Sequence, residues 1–464
     1  MLRDRYEPMD IFALVPQLSH AIDPVIAELN TLLDDDAIFQ QVKADLSQRY
    51  PHTLQTGRPS TPVEVILRML VIKHLYGWSY EQTERWVADS LVLRDFCRVY
   101  LAAVPDDTTL IRWANLIAPV TLHRLLDHVV ELAQQHKLTR GRKLRIDGTV
   151  VETNIHPPSD STLLGDGIRV LSRTLKAAQP LLGNTIQQAT TLFRDRTRSA
   201  RRLVKRIFES TRRRGTEATQ LLKSSYERLV EIGEATLYQA EQVAELLGQQ
   251  TSAMAHQLAQ RVAQFGPRLQ TVITQTKRRV LDGGQVPASE KLVSIFEPET
   301  AIICKGKPHK PTEFGRMVWL NEVEGGIISD YEVLAGNPAD SAQVEPRLAG
   351  HQRVFNRPPQ LLAADRGCFS EDNEKAAAAA GVKQICLPKP GAKSAERQAH
   401  EAQGWFRRGC NWRAGIEGRI HGLKVRQKLD RCLNHGDEGM ERWVGWGVIS
   451  HDLWQIAQVT AQTA

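Results

Sequence analysis

No uninterrupted apolar run in this sequence approaches the roughly 20 residues that a membrane-spanning helix needs, so a helical membrane protein is not expected. The opening stretch Met1–Glu7 has no apolar core of the kind a secretory signal carries, and a cytoplasmic location is the expectation. Cysteine is sparse. The six residues Cys97, Cys304, Cys368, Cys386, Cys410 and Cys432 are scattered, and none forms a CxxC pair. Such spacing builds neither a zinc ribbon nor a disulfide framework, and it fits a reducing compartment. The remaining composition, 42% hydrophobic and 24% charged, is that of an ordinary globular protein. A chain of 464 residues has room for two or three domains.

The net charge of +7 says less than its distribution. Between Thr191 and Gly215 ten arginines and lysines face two acids, a surplus greater than that of the whole chain. A stripe of this density suits a phosphate footprint, with Arg201, Arg202, Arg212, Arg213 and Arg214 as candidate contacts. It also suits a solvated helix face or a scaffold for oligomerisation.

Residues 1–137 read as helices. Asp23 followed by Pro24 starts one that runs to about Leu33, and a second spans Ala37–Gln48. Thr61 and Pro62 repeat the cap-then-proline start, with Val63, Ile66, Leu67, Leu70 and Val71 as an inward face and Gly77 as the stop. Ser79 with Gln82 forms a capping box, and Asp106 or Asp107 caps a helix over Thr108–Ile117. Helices joined by tight turns fit a helix-turn-helix-like DNA-binding domain and a plain helical bundle equally. In the first case Arg58, Arg94, Arg98 and Arg112 are the candidate phosphate contacts.

The texture changes near Gly141. Lys143–Thr153 alternates and is β-branched, so it reads as a strand, with Asp147 inside it. From about Asp166 to Leu281 helical spacing returns, with Leu222, Tyr226, Leu229, Gly233, Leu237, Ala240, Val243 and Leu247 recurring at 3 or 4. Bracketed by β texture, this block has the character of an insertion. Strands follow at Leu292–Phe296, Ala301–Cys304, Met317–Val323 and Gly326–Leu334, with Gly325-Gly326 closing a hairpin. A helix is expected from Ser341 to Arg353. The short apolar run Gln360–Ala364 then reads as a buried strand ending on Asp365. Ser370 caps a further helix, Val382–Leu387 is a strand and Pro388–Glu401 a basic loop. The division expected is a helical DNA-binding domain (1–137), a catalytic α/β domain (138–165 with 282–464) and a basic helical insertion (166–281).

The helical stretch Arg413–Lys424 places Arg413, Glu417 and Lys424 on one side, beside an apolar stripe of Ile416, Ile420 and Leu423. Taken alone this is an i,i+4 surface ion pair. Asp147 and Asp365, on or at the end of strands, change its meaning. Carboxylates from neighbouring strands and a nearby helix converge readily, and hard oxygen donors suit Mg²⁺ or Mn²⁺. Two such ions serve an in-line displacement at phosphorus and need no Ser, Cys or Tyr nucleophile. Glu417 is then expected to turn toward the aspartates and away from Arg413. His156 and His421 are weaker candidates for ligands or phosphate contacts.

Asp147-Gly-Thr-Val-Val-Glu-Thr-Asn154, Leu362-Ala-Ala-Asp365-Arg-Gly and Arg413-x3-Glu417-x6-Lys424 resemble the three signatures of DDE insertion-sequence transposases, which have an RNase H-like core. The last is similar to a Tyr-x2-Arg-x3-Glu-x6-Lys pattern, with Cys410 standing at the Tyr position and Trp412 close by. Arg58-Pro59 through Asp107-Thr108-Thr109, and Thr312-Glu313-Phe314-Gly315, resemble further parts of the same group. The resemblance implies an RNase H-like mixed sheet flanked by helices, with Asp147, Asp365 and Glu417 as a metal-binding catalytic triad for two Mg²⁺ or Mn²⁺ ions. It implies that Arg413 and Lys424 contact DNA or phosphate beside the cut, and Arg366, next to Asp365, is a further candidate. It also implies cleavage at the ends of an element and transfer of 3′-hydroxyls to target DNA, by a homodimer or higher multimer on double-stranded DNA in the nucleoid. A nuclease on the same fold, and a DNA-binding relative without catalysis, are the rival readings.

Overall fold

The structure, a computed structural model, describes residues 1–14, 23–182, 192–212, 214–304 and 311–463. The chain forms two compact units, Met1–Asn154 with Arg316–Ala464, and Ile155–Gly315. The expected mixed α/β class is the observed one.

In the first unit helices occupy Pro24–Leu32, Asp36–Ser47, Val63–Tyr76, Tyr80–Asp89, Leu91–Phe96, Asp107–Ala114 and Pro119–Gln135. Asp23 accepts the N–H groups of Val25 and Ile26, Ser79 and Gln82 close their capping box, and Asp106 caps its helix, as the residue types dictate. Thr61 does not cap the third helix. Pro62 holds the cap position without a side-chain bond, and the Arg3 carbonyl takes the Val63 N–H at 2.9 Å. An N-terminal segment paired with Pro62 has replaced the side-chain cap. Nor is this helix amphipathic: every residue from Val63 to Leu75 is buried, so it runs through the core. Arg68, fully inaccessible, is neutralised by Glu64 at 3.3 Å and Asp34 at 2.5 Å. These helices share one hydrophobic core with the sheet and with the C-terminal helix Gly436–Thr463. In that last helix Gly445 and Gly447 are close-approach positions. A Cβ at Gly445 would stand 2.5 Å from the Tyr331 hydroxyl, and one at Gly447 would stand 2.8 Å from Leu429.

Among the described residues seven strands form one mixed sheet: β1 (Lys143–Thr153), β2 (Ala301–Ile303), β3 (Glu313–Val323), β4 (Ile328–Leu334), β5 (Leu361–Ala363), β6 (Gln384–Cys386) and β7 (Arg431–Cys432). The order is β2-β3-β1-β5-β6, with β4 on β3 and β7 on β1. β3 and β4 are an antiparallel hairpin turned by Gly325 and Gly326, whose φ values of 84° and 76° favour glycine. β5 and β7 run parallel to β1, and β6 runs parallel to β5. The expected loop Pro388–Glu401 instead contains a helix, Ala395–Ala402, because Ser394 accepts the Arg397 N–H and caps it.

The second unit has its own core, formed by the helices Asp160–Leu182, Thr197–Ser210, Thr216–Gly248 and Ala253–Thr276. The residues that recur at helical spacing, Tyr226 to Leu247, are its buried face. The expected strand Leu292–Phe296 is absent. Gln275 bonds both the N–H and the carbonyl of Leu292 at 3.1 Å, and Arg268 bonds the Ile295 carbonyl at 2.7 Å. Side chains from the neighbouring helix thus satisfy the backbone groups a strand partner would have taken.

Candidate active site

β1 has partners on both sides, so its alternating side chains reach both faces of the sheet, and Arg145 and Asp147 share one of them. Asp147 accepts the N–H of Gly148 at 2.8 Å, which fixes the carboxylate plane. A Cβ at Gly148 would come within 2.9 Å of the Trp319 indole, so only glycine lets β3 pack there. The β1–β5 register pairs Lys143 with Leu361 and Arg145 with Ala363, and Asp147 and Asp365 each lie two residues beyond that last pair. Leu361 to Ala364 are buried, and Asp365 emerges where the chain turns into Arg366–Cys368. Its carboxylate accepts the Arg366 N–H at 2.7 Å. Burial pushes the Cys368 thiol up to about 12, and the carboxylates of Asp340, Asp147 and Asp365 push it the same way. Sequence reasoning brought two of these acids together and missed Asp340, whose carboxylate lies where a Cβ on Gly367 would come within 2.7 Å.

Glu417 belongs to the helix Gly404–Arg426. Two glycines let this helix lie close on the strands: Gly409 faces Cys386 and Leu361, and a Cβ at Gly415 would stand 2.6 Å from the Arg145 guanidinium. Arg145 is the tie. It donates to the Trp412 carbonyl in the helix and makes two bonds, 2.9 and 2.6 Å, to the buried carboxylate of Glu322 in β3. Arg419, two residues after Glu417, bonds the same carboxylate at 3.3 Å. Sequence reasoning missed this cluster. Its signal is a charged residue inside each of two apolar strand runs, Arg145 between Leu144 and Ile146 and Glu322 before Val323.

Arg413 stands between the acids, 3.8 Å from Asp147 and 3.2 Å from Glu417. The expectation that Glu417 turns away from Arg413 is therefore corrected: the i,i+4 pair forms, and the Glu417 side chain is 67% exposed. Among the described residues no group of three or more His, Cys, Asp or Glu side chains is arranged to hold a metal ion. Lys424 is half-buried on the same helix, and Arg366 and His421 are exposed. Cys410, at the position where the resemblance has tyrosine, packs with Trp412 against Leu361, Cys386 and Phe406. His156 pairs with Asp166 at 2.8 Å in the second unit. Arg58 and Arg112 are exposed. Arg94 and Arg98 are committed internally, Arg94 to the carbonyls of Tyr100 and Ala102 and Arg98 to Asp34. Of the basic stripe, Arg201, Arg202, Arg212 and Arg214 are exposed, and Arg213 lies outside the described residues.

With this geometry set out, comparison with known proteins adds one observation. Residues 11–116 match the model of a transposase domain family, DUF772. Comparison with curated proteins and with solved structures gives no match. The matched segment takes in the helices from Pro24–Leu32 to Asp107–Ala114, and Asp147, Asp365 and Glu417 lie beyond it. The similarity of this segment to a transposase domain points to DNA transposition. Among the described residues no helix is long and apolar enough to cross a membrane.

Proposed function

We propose that the protein is a DDE-type transposase with an RNase H-like core, which cleaves the ends of a mobile DNA element and transfers the 3′-hydroxyl ends to target DNA. The observation that supports the reading is the parallel pairing of β1 with β5: Asp147 and Asp365 each follow its last pair, Arg145 and Ala363, by two residues, and the helix Gly404–Arg426 that carries Glu417 packs on the same strands. The donor set is all oxygen, and each aspartate has one oxygen held by the N–H of the next residue, which suits Mg²⁺ or Mn²⁺. When bound, two such ions would activate the attacking oxygen and stabilise the leaving oxygen at phosphorus. The chain's own part is placement. Arg145 and Arg419 hold the helix through Glu322, which keeps the Arg413 guanidinium 3.8 Å from Asp147, where it would donate to a phosphate held beside that carboxylate. Metal capture by all three acids requires the exposed Glu417 to leave Arg413 and turn toward the aspartates. Lys424 and Arg366 extend the phosphate contacts. Residues 1–137, with Arg58 and Arg112, form a DNA-binding surface, and the basic insertion, with Arg201, Arg202, Arg212, Arg213 and Arg214, forms another. The acting species is a homodimer or higher multimer that holds two ends.

The test uses pre-cleaved ends from the DNA that flanks the gene, a target plasmid and Mg²⁺. Joined product is expected. Cleavage without joining would leave the nuclease reading in its place. Asp365→Asn is expected to abolish cleavage and keep end binding, and survival of cleavage would show the triad to be misassigned.

A further inference from the structure

Lys73 differs from the other buried cations of the first unit. It lies in the helix Val63–Tyr76 with 2% of its surface exposed, between the rings of Tyr80 at 4.4 Å and Trp443 at 4.9 Å. Arg68, in the same helix, has two carboxylate partners. No carboxylate among the described residues pairs with Lys73; the Tyr80 and Trp443 rings and the Cys432 thiol favour its charge. Burial lowers its pKa to about 8, which leaves it cationic at neutral pH. Ring faces offset only part of the cost of burying a charge without a carboxylate partner, and a methionine would fill the same space without that cost. A packing role therefore does not explain the ammonium.

Lys73 lines a cavity of about 400 Å³. A second cation lines it too. Arg442 is 9% exposed, and its Nη1 bonds the Ile117 carbonyl and Glu438, yet its Nε is buried without an acceptor. Trp78, Tyr80 and Trp443 supply aromatic walls, and Asn115 and Asn434 bring amide groups. Trp78 is held upright in a stack with Tyr76 at 4.7 Å and Trp86 at 6.1 Å. A cation without a carboxylate partner, Lys73, beside one with a buried donor that has no acceptor, Arg442, calls for an anion, and flat aromatic walls call for a planar ring.

We infer that this cavity binds one nucleotide unit of a DNA strand, its phosphate between Lys73 and Arg442 and its base against the aromatic walls. The identity of the strand as DNA rests on the transposase reading. The chemistry, an anion joined to a planar ring, rests on the cavity itself. The base is recognised by stacking, so any of the four fits and sequence selectivity is low.

The test uses the full chain with deoxyadenosine 5′-monophosphate, deoxyadenosine and inorganic phosphate as separate probes, followed by calorimetry and thermal unfolding. The monophosphate is expected to bind and raise Tm, inorganic phosphate to bind at least tenfold more weakly, and the nucleoside not to bind. Lys73→Met is expected to weaken monophosphate binding at least tenfold while its own Tm stays level or rises. Trp78→Leu, at a half-buried position, is expected to weaken the monophosphate and leave inorganic phosphate unchanged. Absence of monophosphate binding, or equal binding by wild type and Lys73→Met, overturns the inference. Phosphate binding as tightly as the monophosphate, or a Trp78→Leu variant that binds the monophosphate like wild type, overturns the base-binding part. None of these readings involves strand cleavage. A chain that still joins DNA ends but binds no nucleotide would refute the cavity alone.

Discussion

Arg145 and Glu322 meet inside the first unit as a two-bond pair of 2.9 and 2.6 Å, with the Glu322 carboxylate fully inaccessible and Arg419 sharing its Oε1 with Arg145. Removing one charge would strand the other two. Glu322→Gln is expected to cost about 3–5 kcal/mol in urea unfolding. A triple replacement with apolar residues of similar size at Arg145, Glu322 and Arg419 is expected to recover much of that stability while losing cleavage, since the helix would no longer be held in one place. Wild-type activity in the apolar triple would show that the cluster positions nothing.

The approach of the helix over Arg145 gives a second prediction. An added Cβ at Gly415 would come 2.6 Å from the guanidinium, so Gly415→Ala must lift the helix or displace Arg145. Overpacking of this kind costs about 1–3 kcal/mol. Because the lift falls between Arg413 and Glu417, cleavage is expected to drop far more than end binding, read as initial rate and gel-shift affinity. Equal losses in both would point to general unfolding.

The parts of the fold that were legible are those set by neighbours in sequence. Asp23-Pro24, Ser79 with Gln82, and Asp106 start helices because each cap needs only the next three residues. Lys143–Thr153 was legible from end to end because alternation is a local pattern. The failures share a cause. Thr61 lost its capping role to Arg3, nearly sixty residues away, and Leu292 lost its strand partner to Gln275. Arg145 with Glu322, and Lys73 with Trp443, are likewise meetings of distant segments that no local pattern announces. The candidate acids were named from residue type and order alone. What the sequence did not show is the pairing of β1 with β5 that precedes Asp147 and Asp365, and the pairing of Glu417 with Arg413.

Arg413 touches both Asp147 and Glu417, so its loss acts on the site rather than on the fold. Arg413→Ala is expected to slow strand cleavage by about 10²–10³, the usual effect of removing one positioned donor, with little change in urea stability. Arg413→Lys keeps the charge but not the two-armed geometry and should restore only part of the rate. A rate within twofold of wild type for Arg413→Ala would remove it from the mechanism.

The exposed arginines of the insertion are tested by salt. Arg212 and Arg214 are both exposed, and neither forms an ion pair among the described residues. Every arginine withdrawn from a phosphate should flatten the log–log dependence of duplex affinity on salt by about 0.9. Arg212→Gln with Arg214→Gln is thus expected to reduce the slope by about twice that amount if both touch phosphate. An unchanged slope would assign the block to scaffolding.

Acid stability reads out a buried histidine. His351 is inaccessible, its Nε2–H donates to the Gly141 carbonyl at 3.1 Å, and burial lowers its pKa from 6.5 to about 4. The unfolded chain therefore binds a proton that the folded chain refuses between those two values. Stability from this group is complete above pH 6.5, falls as the pH drops toward 4, and amounts to about 3 kcal/mol at most. Glu441 acts in the opposite sense, because burial raises its pKa from 4.5 to about 7 and the folded state holds the proton longer. The two overlap in the wild-type curve, so the informative quantity is a difference. His351→Gln keeps a donor for Gly141 and removes the titration. Urea unfolding free energies at steps from pH 7 to pH 4 are expected to converge, with wild type losing stability faster than the variant as acid is added. Parallel curves would mean that His351 is protonated as easily in the folded chain as in the unfolded one.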